Sequence, residues 1–259
     1  MRQCLGFQRS RYLVVHSRNV SLVVAFLPLF LLMQDISSLI SEGKAFWANN
    51  EIEKAALAFR GALDQSPESP SALMWLGMLN QQRAGDDRNS LETDVLPLYD
   101  KARRILSNQA NAVADMALAL ELNAEILAKL GRDAEARQLS VEAGRLHRQS
   151  ILDLLKQMPA GEGGGVYRIG GTVNPPRIIK RIEPAYPDEA RLHRVAGDVV
   201  VSIIVDTKGV PRNIHITRGL GFGLDEAAVA AVMQWRFAPA IKGGDPVNVG
   251  LQVSLAFKL

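Results

Sequence analysis

The chain has 259 residues, room for one large domain or two small ones, and is 47% hydrophobic and 22% charged, a composition that forms a folded core. Its 30 Lys and Arg against 27 Asp and Glu leave a net charge of +3, without the basic stripe that nucleic-acid binding requires. The single cysteine, Cys4, excludes disulfide frameworks and cysteine-ligated metal sites.

Arg2, Arg9, Arg11 and Arg18 precede "VSLVVAFLPLFLLM", residues 20–33, which only Ser21 interrupts. A helix over this run covers roughly 21 Å, short of the ~30 Å hydrocarbon core. Extension back to Tyr12 reaches the needed length but takes in His16, Ser17, Arg18 and Asn19, with Arg18 placed to snorkel. Arginines before the run, and Asp35 and Glu42 after it, put the N-terminus inside and the remainder outside. Residues 1–35 therefore read as a membrane anchor or signal segment. Two alternatives stand beside a retained anchor: cleavage, although no small-x-small site follows Met33, and a translation start at Met33 itself.

Residues 36–157 are rich in alanine and leucine, with glycines and prolines between apolar-periodic runs, the pattern of helical hairpins. In the first unit Leu39, Gly43, Phe46, Ala55, Phe59, Ala62 and Pro67 take the alternating small and large positions of two helices in close antiparallel contact. Leu73, Leu76 and Gly77 restart the pattern, and Val95, Tyr99 and Ala102 complete it after the insertion "AGDDRNSLETD". Leu120, Ala124, Leu127, Gly131, Ala136 and Ala143 form a third unit. The region resembles a three-unit tetratricopeptide array, which implies either a concave partner-binding groove or a spacer. Trp47, Trp75 and Phe59 are expected in its core. His147, among Glu142, Arg145 and Arg148, is expected on a solvated helix face.

Residues 158–176, with "PAGEGGGVYRIGG" at their centre, read as a flexible linker. Residues 177–259 change period. In "GDVVVSIIVD" Val199, Val201, Ile203 and Val205 share one face, while Val200 and Ile204 on the other mark a strand central in its sheet. "TKG" turns the chain into "VPRNIHITR", giving an antiparallel hairpin with His215 opposite Ile214 and Ile216. Leu224, Ala228, Ala231, Val232 and Trp235 form a helical stripe, and the chain closes on a strand alternating from Val247 to Leu259. "GLGFG" before that helix has the spacing G-x-G-x-G, follows a hairpin and precedes Asp225 and Glu226, so it reads as a turn and not a phosphate cradle. The fold class is thus multidomain: helical hairpin repeats, then a small α+β domain with an antiparallel sheet packed on a helix.

"PAYP" at Pro184, Tyr186 and Pro187, "EAR" at residues 189–191, "GLDEAA" at residues 223–228 and "WRFAP" at residues 235–239 make residues 175–259 resemble the C-terminal domain of the TonB energy-transducer family. The resemblance implies a periplasm-facing domain that grips an extended partner segment by strand addition, on a protein held in the inner membrane by a single N-terminal span. It implies an outer-membrane receptor or other periplasmic segment as partner, with the proton-driven inner-membrane motor and a second copy of the chain as further candidates. Coupling of inner-membrane energy to receptor transport is the implied function. A soluble periplasmic adaptor that binds partners without coupling, after cleavage at the N-terminus, is the alternative. The terminal strand is expected to be the acceptor edge, with Asn248, Gly250, Gln252 and Ser254 lining it, and Pro184, Tyr186 and Pro187 seating the partner or forming a rigid turn over the core. No nucleophile motif or metal-ligand set accompanies His193 or His215, so neither catalysis nor a cofactor is expected. The chain departs from classical transducers in two respects. Residues 158–176 reach at most ~65 Å and are not a long proline-rich spacer. The N-terminal serines and histidine, Ser17, Ser21 and His16, are arranged differently, with Arg18 among them.

Overall fold

The computed structural model describes residues 35–158 and 164–259. The expected anchor, residues 20–33, lies outside the described residues, and no helix among those described is long and apolar enough to cross a membrane.

Three helical hairpins come first. The pair α1 (Ile36–Ala48) and α2 (Ile52–Gln65) is followed by α3 (Pro70–Ala84) and α4 (Leu96–Leu106), then by α5 (Val113–Lys129) and α6 (Asp133–Leu155). Local chemistry starts them: the Asp35 carboxylate accepts from the Ser38 N–H, and Ser69 caps α3 with Pro70 in its first turn. The hairpins pack where glycine meets an aromatic ring. A Cβ on Gly43 would overlap Phe59, and one on Gly77 would overlap Tyr99. Trp47, Phe59 and Trp75 form one aromatic cluster in this core, with centroids 6.1–6.4 Å apart. The insertion between α3 and α4 is a helical turn, Arg88–Ser90, that runs through the π-helical stretch Leu91–Val95. The wider π turn carries the chain to α4 while burying both Leu91 and Val95.

The C-terminal half forms a second core. Its strands are β1 (Val166–Tyr167), β2 (Val173–Asn174), β3 (Arg177–Lys180), β4 (Gly197–Val205), β5 (Pro211–Arg218), β6 (Arg236–Ala238), β7 (Ala240–Lys242) and β8 (Asp245–Phe257), with helices α7 (Asp188–Leu192) and α8 (Leu224–Val232). The main sheet runs β2-β7-β8-β4-β5, and β3 pairs antiparallel with β6 beside it. The strand expected at the centre, β4, lies between β8 and β5. Its alternate residues Val199, Val201, Ile203 and Val205 are buried with Leu224, Ala228, Val232 and Trp235. Trp235 donates its indole N–H to the Ile182 carbonyl at 2.8 Å, which lets a polar atom enter the core at little loss.

Part of the stretch expected to be a flexible linker is built into the sheet. Val166–Tyr167 adds to β8, and Val173–Asn174 pairs with β7. The glycines of this stretch favour a linker, whereas Val166, Tyr167 and Val173 among them find strand partners.

Candidate functional site

The terminal strand is two-sided. Along Val249 to Phe257 it pairs antiparallel with β4 over the register Val205↔Val249 to Gly197↔Phe257. On the other side its first residues, Asp245 to Val247, pair with β7, and Asn248 and Val249 pair with β1. From Gly250 onward no described strand lies on that second side. In an antiparallel strand, alternate residues direct their N–H and C=O away from the neighbour, so this stretch presents unpaired backbone groups. The expected edge is therefore narrower than the whole strand: it begins at Gly250, because β7 and β1 already cover the strand's head.

Gly250, Gln252 and Ser254 are exposed on the outer sheet face, while Val249, Leu255 and Phe257 point into the core. Asn248 belongs to the covered part. Its Oδ1 accepts from the Thr207 N–H at 3.2 Å, and its backbone lies opposite Val166. Beyond the far end of β8, Tyr186 sits edge-on to Phe257 at 5.5 Å and donates its hydroxyl to the Val195 carbonyl at 2.7 Å. Pro187 forms the N-cap of α7 and Pro184 is half-buried in the turn before it. The Tyr186 ring packs against the core of the domain, with Pro184 and Pro187 on either side of it in the turn.

The glycine loop is filled by carboxylates of the protein itself. Asp225 accepts from the Leu220 N–H at 2.8 Å, and Glu121 of α5 accepts from the Phe222 N–H at 3.0 Å. Burial raises the Asp225 pKa. Glu226 joins Asp225 in the first turn of α8, and carboxylates around the glycine loop oppose phosphate binding.

His147 overturns its sequence reading. It is buried, not solvated, with its Nδ1 2.6 Å from Glu226 and its Nε2 3.0 Å from Glu121. Burial opposes its charge, yet the two carboxylates outweigh burial and push its pKa up to about 10. A second contact crosses between the same two lobes. Tyr99 donates to Gln81 at 2.9 Å, Gln81 donates to Glu125 at 2.8 Å, and Glu125 lies 2.6 Å from Nε2 of His193. Burial pushes the Glu125 carboxyl up, but His193, Lys129 and Gln81 together hold it below its ordinary value. Phe222 stacks on the His193 ring at 5.0 Å. Glu121 and Glu125 lie four residues apart on one face of α5, which brings both contacts to the same side of the helix. A cleft of about 760 Å³ runs beside it between α5, α6 and the end of β5, with Arg137 and Arg148 on one wall and Asp225 on another.

Residues 182–259 match the family model for the Gram-negative bacterial TonB protein C-terminal. Protein TonB of Vibrio cholerae is 31% identical over 86 residues, covering 33% of this chain and 35% of that protein. Protein tonB2 of Pseudomonas aeruginosa is 35% identical over 77 residues, covering 29% of this chain and 28% of that protein. Protein TonB of Klebsiella aerogenes is 33% identical over 85 residues, covering 32% of this chain and 33% of that protein. The chain thus spans about a third of the length of the curated relatives it matches. Among solved structures, the solution structure of the Pseudomonas aeruginosa TonB C-terminal domain aligns at 20% identity and a TM-score of 0.30, covering 37% of this chain and 96% of that one. The matched segment runs from the Ile182 carbonyl that anchors Trp235 to the last residue after β8, and it is similar to the C-terminal domain of TonB proteins.

Proposed function

We propose that this protein is a TonB-like, periplasm-facing transducer: it binds an extended partner segment by strand addition to β8 and passes inner-membrane energy to an outer-membrane receptor. One observation carries the reading: a TonB-type domain whose long terminal strand keeps its second side open from Gly250 to Phe257. Unpaired strand groups bind an incoming strand through its backbone, while Gly250, Gln252 and Ser254 on the outer face select among side chains. Residues 1–35 would supply the span, and the helical hairpins would hold the domain away from the membrane or add a docking surface.

Backbone pairing makes a specific test available. A peptide copying the N-terminal segment of a TonB-dependent receptor from the same organism is titrated onto the full chain by calorimetry. N-methylation at alternate residues removes donors while keeping the side chains. We expect the unmodified peptide to bind and the methylated one to lose at least tenfold in affinity, ~1.4 kcal/mol. Equal binding of both peptides rules out strand addition, and crosslinking of residues 1–35 to the motor then separates coupling from simple adaptation.

A further inference from the structure

The head of the acceptor edge is already occupied by the chain itself. Val166–Tyr167 runs parallel to β8, with Val166 opposite Asn248 and Tyr167 opposite Val249. Val249 also pairs with Val205 of β4, so Tyr167 must lie on the strand's second side, the one that opens at Gly250. The contacts around it are local. Lys242 Nζ stands 4.2 Å from the centre of the Tyr167 ring. A Cβ on Gly250 would lie at ordinary contact distance, 3.8 Å, from Val166 Cγ1, so the Val166 side chain reaches the first residue of the open stretch. A Cβ on Gly164 would come within 2.9 Å of Asn248 Nδ2, so the chain before the strap passes close beside β8.

Yet the strap is weakly held. It pairs over two residues, and Val166 and Tyr167 remain 51% and 40% exposed, so little apolar area keeps it in place. An exposed cation–π contact adds little to this. A permanent cover for an edge strand would be expected to bury its side chains; this one leaves them in water.

We infer that Val166–Tyr167 is an internal occupant of the acceptor edge, which a partner strand reaching the head of β8 must displace. The inference rests on the strand-addition reading and adds to it that the free protein is partly self-blocked. For an edge closed nine-tenths of the time, removing the strap raises apparent affinity about tenfold.

Two variants of the full chain test this. Val166→Gly with Tyr167→Gly weakens the strap at exposed positions. Val166→Cys with Gly250→Cys, in a Cys4→Ser background, locks it when oxidised. Amide hydrogen exchange is read without any partner, and the receptor peptide is then titrated onto each form. We expect exchange over residues 247–250 to quicken at least tenfold in the glycine variant while β4 and β5 are unchanged. We also expect peptide affinity to rise about tenfold in the glycine variant, and to fall in the oxidised lock and return on reduction. Unchanged exchange shows that the strap is not seated in solution and overturns the inference, whatever the peptide does. Quickened exchange with equal peptide affinity in open and locked forms overturns the competition alone. A peptide that binds no form removes the strand-addition reading, and the competition falls with it, while the exchange result still reports whether the strap is seated.

Discussion

At the scale of single residues, His147 joins the helical array to the C-terminal domain by standing between the carboxylates of Glu121 and Glu226. Its pKa, raised from 6.5 to about 10, means that its contribution is complete below pH 6.5 and is lost as pH rises toward 10. Glu125 works at the other end of the scale. Its lowered pKa gives a contribution present above pH 4.5 and lost as pH falls further. Asp225, raised by burial, acts in the opposite sense and favours the folded state at acid pH. His147→Gln removes the cation and leaves Glu121 and Glu226 facing each other, a loss of about 3 kcal/mol for a buried pair stripped of one partner. Urea unfolding at pH 6 and pH 10 checks this: the difference between wild type and variant is expected to be large at pH 6 and to shrink at pH 10. An equal difference at both pH values would show that packing, and not charge, is what the imidazole supplies.

At the scale of elements, the helical hairpins depend on glycine where rings must enter. Tyr99 is fully buried and hydrogen-bonded to Gln81, so it cannot step aside for a methyl group at Gly77. Gly77→Ala is therefore expected to destabilise by about 1–3 kcal/mol through overpacking, even though alanine is the better helix former. Thermal unfolding followed by far-UV circular dichroism should show Tm lower by several degrees, and an unchanged or raised Tm would mean that α3 and α4 pack more loosely than described. The spacing of Gly43, Gly77, Phe59 and Tyr99 was legible in sequence because each hairpin fulfils it locally. The sheet was legible for a similar reason. Four alternating aliphatic residues on β4 share a face only if a helix covers it, and Leu224, Ala228 and Val232 follow at helical spacing. The reach of the open edge was only partly legible: β7 is the near arm of a hairpin that turns at Gly243 and Gly244, but β1 comes from before the domain and pairs with backbone, which no side-chain pattern records.

At the scale of the whole molecule, the array and the domain meet through both apolar and charged groups. Leu192 and Phe222 pack against the core of the array, while Ile151 and Leu155 of α6 pack against the core of the domain. Lys44 adds a half-exposed pair with Asp188 and Glu189. Interfaces between domains of one chain are more polar than obligate ones, so the charged pairs are expected to help hold this one closed. The double variant His147→Gln with His193→Gln is expected to separate the lobes, seen as a larger radius of gyration by small-angle scattering while each lobe keeps its secondary structure. An unchanged radius would assign the interface to its apolar contacts.

By itself, the sequence determined what neighbours along the chain can settle. The helical hairpins, the β4–β5 hairpin, the helix that covers them and the motifs of a TonB-type domain all follow from spacing and turn chemistry. Tertiary structure alone decided which backbone groups stay unpaired, why Val166 and Tyr167 sit on the terminal strand, and why His147 is buried between two carboxylates. Those features join residues far apart in sequence, and burial, pKa and edge exposure are set by what folds against a group, not by the residues beside it.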